Sequence, residues 1–98
     1  MNDTPIACSL SGPDLAARKA ATATIARAAL RRRELIANGR RLHFTGGEDV
    51  EDQLRDIVAA ESACCPFLTL QLHRDGDALR LEVTGPAEAQ PIIEELFI

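Results

Sequence analysis

Residues 67–83 read Phe67-Leu68-Thr69-Leu70-Gln71-Leu72-His73-Arg74-Asp75-Gly76-Asp77-Ala78-Leu79-Arg80-Leu81-Glu82-Val83, and this stretch decides the fold. Leu68, Leu70 and Leu72 alternate with Thr69, Gln71 and His73. Beyond the Asp75-Gly76 turn, Leu79, Leu81 and Val83 alternate with Arg80 and Glu82. A period of two sends one strand face to a core and the other away from it, and an Asp-Gly dipeptide between two such runs marks a tight hairpin. Thr84-Gly85-Pro86 ends the second strand.

A second hairpin lies upstream, in Glu34-Leu35-Ile36-Ala37-Asn38-Gly39-Arg40-Arg41-Leu42-His43-Phe44. Asn38-Gly39 is expected to supply both positive-φ residues of a type I′ turn. Helical segments surround the hairpins. Ser11-Gly12-Pro13-Asp14 has a capping serine, a first-turn proline and an acid three residues on, and opens a helix expected to run from Leu15 to about Arg33. Its weak apolar face is Leu15, Thr22, Ile25, Ala26, Ala29 and Leu30, and Arg31-Arg32-Arg33 would suit its dipole at the C-terminus.

The second helix starts with Glu48, Asp49, Glu51 and Asp52 and carries Val50, Leu54, Ile57 and Val58 at helical spacing. The same stripe continues through Glu61 to Cys64 and Cys65. Pro66 disfavours helical angles at Cys65, so the helix should end near Cys64. A last helix, beginning near Ala89 because of Pro91, buries Ile92, Ile93, Leu96 and Phe97.

The expected architecture is a single α+β domain over residues 1–98. Its order is helix-hairpin-helix-hairpin-helix, with one four-stranded antiparallel sheet and the helices on one face. The other sheet face would carry His43, Thr69, Gln71, His73, Arg80 and Glu82, as a wet or a partner surface.

Of the 98 residues 46% are hydrophobic, but Phe44, Phe67 and Phe97 are the only aromatics, so the core is thin and aliphatic and a homodimer would thicken it. Apolar runs fall short of the roughly 18–20 residues of a membrane span, and Met1-Asn2-Asp3-Thr4-Pro5 lacks the features of a secretory signal. A cytoplasmic protein without membrane contact is the expectation. The net charge of −4 divides unevenly: residues 1–45 hold eight Lys/Arg against three acids, and residues 46–98 hold three Arg against twelve acids. Arg31-Arg32-Arg33 and Arg40-Arg41 have no stacking aromatics beside them in an acidic chain, so nucleic acid is not expected as a partner.

Glu61-Ser62-Ala63-Cys64-Cys65-Pro66-Phe67 is the chemical centre of the chain. Three cysteines in a cytoplasmic chain are expected to be reduced and to serve metal or thiol chemistry. Thiolates are soft donors and select copper(I), zinc, cadmium, mercury or arsenic(III). Cys64 and Cys65 would supply two sulfurs, and Cys8 a third if the N-terminal lead, with Ile6-Ala7-Cys8-Ser9-Leu10 extended, folds back. Glu61 would add an oxygen or accept a thiol proton. A structural zinc knuckle is disfavoured, since the chain has no C-x-x-C pair. His43 and His73 point to the opposite sheet face and read as solvated strand residues.

Two other readings stand beside this one. The same cysteines would serve a thiol-redox or sensing module, although C-x-x-C at a helix start is absent. Alternatively they are inert core filling in a structural or interaction protein, because cysteine is among the most buried residue types. No catalytic group stands out, so the chain leans away from an enzyme.

The block Glu61 to Leu68 resembles small, mostly uncharacterised bacterial proteins with an E-x-x-C-C-P-F signature, loosely associated with heavy-metal resistance. The resemblance extends to an early cysteine at Cys8-Ser9-Leu10 and a closing Leu81-Glu82-Val83-Thr84-Gly85-Pro86. It implies a soft metal or metalloid ion as partner and singles out Cys8, Glu61, Cys64 and Cys65.

Overall fold

A computed structural model describes residues 12–97, without the side chains of residues 12–16, Arg18 and Cys64. In chain order these are α1 (Gly12–Ala29), β1 (Leu30–Ile36), β2 (Gly39–Thr45), α2 (Glu48–Cys64), β3 (Thr69–Asp75), β4 (Ala78–Thr84), a 3₁₀ turn (Ala87–Ala89) and α3 (Gln90–Glu95). The fold is α+β, with a four-stranded antiparallel sheet in the order β1-β2-β4-β3. The Ile6–Leu10 lead, Cys8 and the Ser11 cap lie outside the described residues.

The two hairpins are joined through β2 and β4, whose pairing runs from Gly39 opposite Thr84 to Thr45 opposite Ala78. Since β2 and β3 both run antiparallel to β4, they are parallel to each other. The chain therefore has to return along the sheet between them, and α2 is that return. Leu42 and Phe44 of β2, Leu79, Leu81 and Val83 of β4, Ile25 and Ala29 of α1, and Leu54 and Ile57 of α2 share one core. Phe97 closes it, its ring edge-on to Phe44 at 5.3 Å between centroids.

Three local expectations are corrected. First, α1 stops at Ala29, and Arg31-Arg32-Arg33 lie on β1 instead of a helix end. Tertiary partners outweigh helix propensity here. Arg31 donates to Thr45 Oγ1 at 2.8 Å, and the Arg33 guanidinium donates to the carbonyls of Leu96 and Phe97, fixing the end of α3. Second, the first hairpin turns on Ala37-Asn38, with Asn38 alone left-handed at φ 65°. Gly39 is instead the first residue of β2, and a Cβ there would stand 1.9 Å from the Val83 carbonyl oxygen. It is a glycine of close approach. Third, of the four residues expected to be buried by the last helix, Ile93 and Phe97 are buried but Ile92 and Leu96 only half-buried, while the helix begins at Gln90, beside the expected Ala89.

Strand register puts Glu34, Arg41, His43, Thr69, Gln71, His73, Arg80 and Glu82 together on the face away from the core. Arg41 joins two strands' acids, at 2.8 Å to Glu82 and 3.2 Å to Glu34, while His43 Nε2 lies 2.9 Å from Glu34. The His43 and Arg41 hydrogen bonds hold the Glu34 carboxyl below its ordinary value, and the Arg41 hydrogen bond does the same for Glu82. A carboxylate lowered in the folded state stabilises the fold above its unfolded pKa, and the contribution is lost as pH falls through the folded value.

Gly39→Ala should lower unfolding stability by about 1–3 kcal/mol, because the Val83 backbone has little freedom to yield. Gly47→Ala, whose Cβ meets nothing within 4 Å, should stay within about 0.5 kcal/mol of wild type. Urea unfolding of both variants checks this. In the same assay Arg41→Met should be weaker than wild type at neutral pH, and the two midpoints should converge as pH falls below the ordinary carboxylate range, through the lowered values of Glu34 and Glu82. A constant difference across that range would show that Arg41 acts through packing alone.

Candidate thiol site

Helix α2 delivers the site. Along its buried face Leu54 is 0% exposed, Ile57 8% and Glu61 3%, and Cys65, just past the helix end, is 0% exposed. The helix ends where Pro66 requires. Cys65 has φ −124° and ψ 75°, outside the helical region, while its N–H still donates to the Glu61 carbonyl at 2.7 Å. Leu68 N–H then donates to the Cys65 carbonyl at 3.0 Å, closing a tight turn through Pro66 and Phe67 into β3.

The four-residue spacing that stacks side chains on a helix face brings the Glu61 carboxylate to the sulfur, with Oε1 3.7 Å from Cys65 Sγ. Cys65 is disulfide-bonded. A disulfide sulfur carries no proton, so in this oxidised state the 3.7 Å separation is a polar contact. On reduction the same geometry lets the Cys65 thiol donate to Glu61. A carboxylate buried to this degree is costly unless it is paired or hydrogen-bonded.

The structure thus brings together two of the four residues singled out from the sequence, Glu61 and Cys65. The Cys64 backbone ends α2, but its side chain, like Cys8, lies outside the described residues. Among the described residues no group of three or more His, Cys, Asp or Glu side chains is placed to hold a metal ion. His43 and His73 sit on the far side of the sheet, opposite each other through Arg80. The expectation of reduced cysteines is corrected at Cys65.

Arg74 is a supporting residue that the sequence did not flag. It donates to Glu51 at 2.7 Å and to the carbonyl of Gly47 at 3.0 Å, tying the far end of β3 to the start of α2. With Arg55 also on Glu51, the carboxyl of Glu51 is held below its ordinary value, chiefly by the Arg74 hydrogen bond. No helix among the described residues is long and apolar enough to cross a membrane. Compared with protein-family models, curated proteins and solved structures, the chain matches none.

In the reduced protein the Cys65 thiol is in position to donate to Glu61 Oε1. Glu61→Gln, which replaces the carboxylate by an amide, should change the rate at which reduced Cys65 is alkylated, read by mass spectrometry of the modified peptide. An unchanged rate would mean that Glu61 does not act on this sulfur.

Proposed function

We propose that the protein binds a soft metal or metalloid ion through its cysteines in the reduced state. The observation that carries this reading is the Cys65 sulfur, covalently paired with another cysteine and 3.7 Å from the buried Glu61 carboxylate. Sulfurs close enough to bond to each other need separate only slightly to bracket a thiophilic ion between two thiolates. Ion binding releases the thiol protons, and Glu61 is placed to take one of them or to add an oxygen ligand.

Cys8 and Cys64 are the other two cysteines of the chain, and the thiol set of this reading is Cys8, Cys64 and Cys65, with Glu61. Mercury(II), cadmium(II), zinc(II), copper(I) and arsenic(III) are the ions suited to such donors. The resemblance to E-x-x-C-C-P-F proteins associated with heavy-metal resistance points the same way. A cytoplasmic setting and a homodimer belong to this reading.

The disulfide itself favours a second reading, a thiol-redox module. A dithiol reductant would reduce the bond by thiol–disulfide exchange. One of its thiolates attacks the sulfur paired with Cys65, and Cys65 leaves as a thiolate that takes up a proton through Glu61. The reductant's second thiol then displaces the mixed disulfide, so the reductant ends oxidised and the protein holds two thiols.

Anaerobic titration of the reduced protein with mercury(II), cadmium(II), zinc(II) and arsenite decides between them. Stoichiometric sulfur-to-metal charge-transfer absorbance, abolished in Cys65→Ser and reduced in Cys8→Ser and Cys64→Ser, is the expected result. Absence of binding by all four ions, with reversible oxidation in glutathione buffers, would replace ion binding by the redox role.

A further inference from the structure

The two edges of the sheet are built differently. On β1 the residues Arg31-Arg32-Arg33 line one edge, and the register with β2 shifts between Leu30 and Arg32. Charge and a bulge both discourage another strand from adding there. The other edge, β3, has no bulge, and its charges, Arg74 and Asp75, stand at one end only. It pairs with β4 without a register shift over all seven residues, and Thr69-Leu70-Gln71-Leu72-His73 contains no Lys, Arg, Asp, Glu, Pro or Gly. Its inward leucines are also incompletely covered: Leu70 and Leu72 are half-buried, whereas their β4 partners Val83 and Leu81 are 0% exposed. Among the described residues no strand pairs with the outer side of β3.

We infer that β3 is the site of self-association, pairing antiparallel with β3 of a second copy about a two-fold axis at Leu72. This register alone overlays all seven residues. It sets Leu72 against the second Leu72, Gln71 against His73, Leu70 against Arg74, and Thr69 against Asp75. No two like charges face each other, and apolar meets apolar at the axis, so the strand is complementary to itself. The two sheets become one of eight strands, and the half-buried leucines of both copies are covered. The thiol sites, just upstream of Thr69 in each copy, lie at opposite ends of the paired strands and are not shared. The inference does not depend on what Cys65 and Glu61 bind.

Thr69 is exposed and faces Thr84 within its own sheet, so its charge variants test the register without disturbing the core. Sedimentation equilibrium of the full chain should show a monomer–dimer equilibrium. Thr69→Asp, which sets a carboxylate against Asp75 of the second copy twice per dimer, should weaken it by roughly tenfold. Thr69→Arg should strengthen it, and circular dichroism should be the same for all three proteins. Hydrogen exchange at β3 amides should slow with protein concentration. A monomer at every concentration overturns the proposal, as does a dimer indifferent to both variants. So does concentration-independent protection of β3, which would place residues 1–11 or another peptide on this edge.

Discussion

The pairing of β2 with β4 is the constraint from which the rest of the fold follows. It zips two sequence-local hairpins into one sheet, and it requires Gly39, because the Val83 carbonyl occupies the space of a side chain at that position. It also makes β2 and β3 parallel with β4 between them. A parallel connection must cross one face of the sheet, and a helix is the usual way to make it. The 17 residues of α2 span about 25 Å at the helical rise. A seven-residue strand spans about 23 Å. Helix and strand lengths therefore match, and α2 leaves the Thr45 end of the sheet and arrives at the Thr69 end.

That arrival explains why the thiol site is where it is. The chain has to leave the helix, reverse and enter β3 within four residues, and Pro66 enforces the exit. The residue before a proline is pushed out of helical angles, which turns Cys65 inward from the last position of the stripe. Glu61, one turn earlier, remains on that stripe. Carboxylate and sulfur meet because both lie on the face that packs on the sheet. Arg74 and Glu51 anchor the other end of the same helix to β3.

Much of this was legible in the sequence because it is periodic. The alternation from Leu68 to Val83, the Val50-Leu54-Ile57-Glu61-Cys65 stripe and the proline stop each report a local geometry, and each corresponds to an element of the structure. What was not legible depends on partners remote in sequence. Arg31-Arg32-Arg33 has good helix propensity, but Thr45 and the carbonyls of Leu96 and Phe97 hold it on a strand. Asn38-Gly39 looks like the two central turn residues, but Gly39 is fixed by β4, a strand that begins 39 residues later in the chain.

The uneven charge of the two halves of the chain finds its use in register. On the core side of β4, Leu79, Leu81 and Val83 are nearly interchangeable, so a slip of β2 by two residues would keep leucines facing inward. The outward face is not interchangeable. In the observed register Arg41 of the basic half lies opposite Glu82 of the acidic half, with Glu34 on its other side. A two-residue slip in one direction would set Arg41 against Arg80, and in the other against Thr84, so either slip parts Arg41 from Glu82. Each exposed ion pair is a modest attraction, but one slip replaces it with a repulsion and the other with an uncharged neighbour, and that difference favours the observed register. Hydrophobic pattern chooses which face goes in, and the charged row, together with Gly39 beneath the Val83 carbonyl, chooses which residues lie opposite each other.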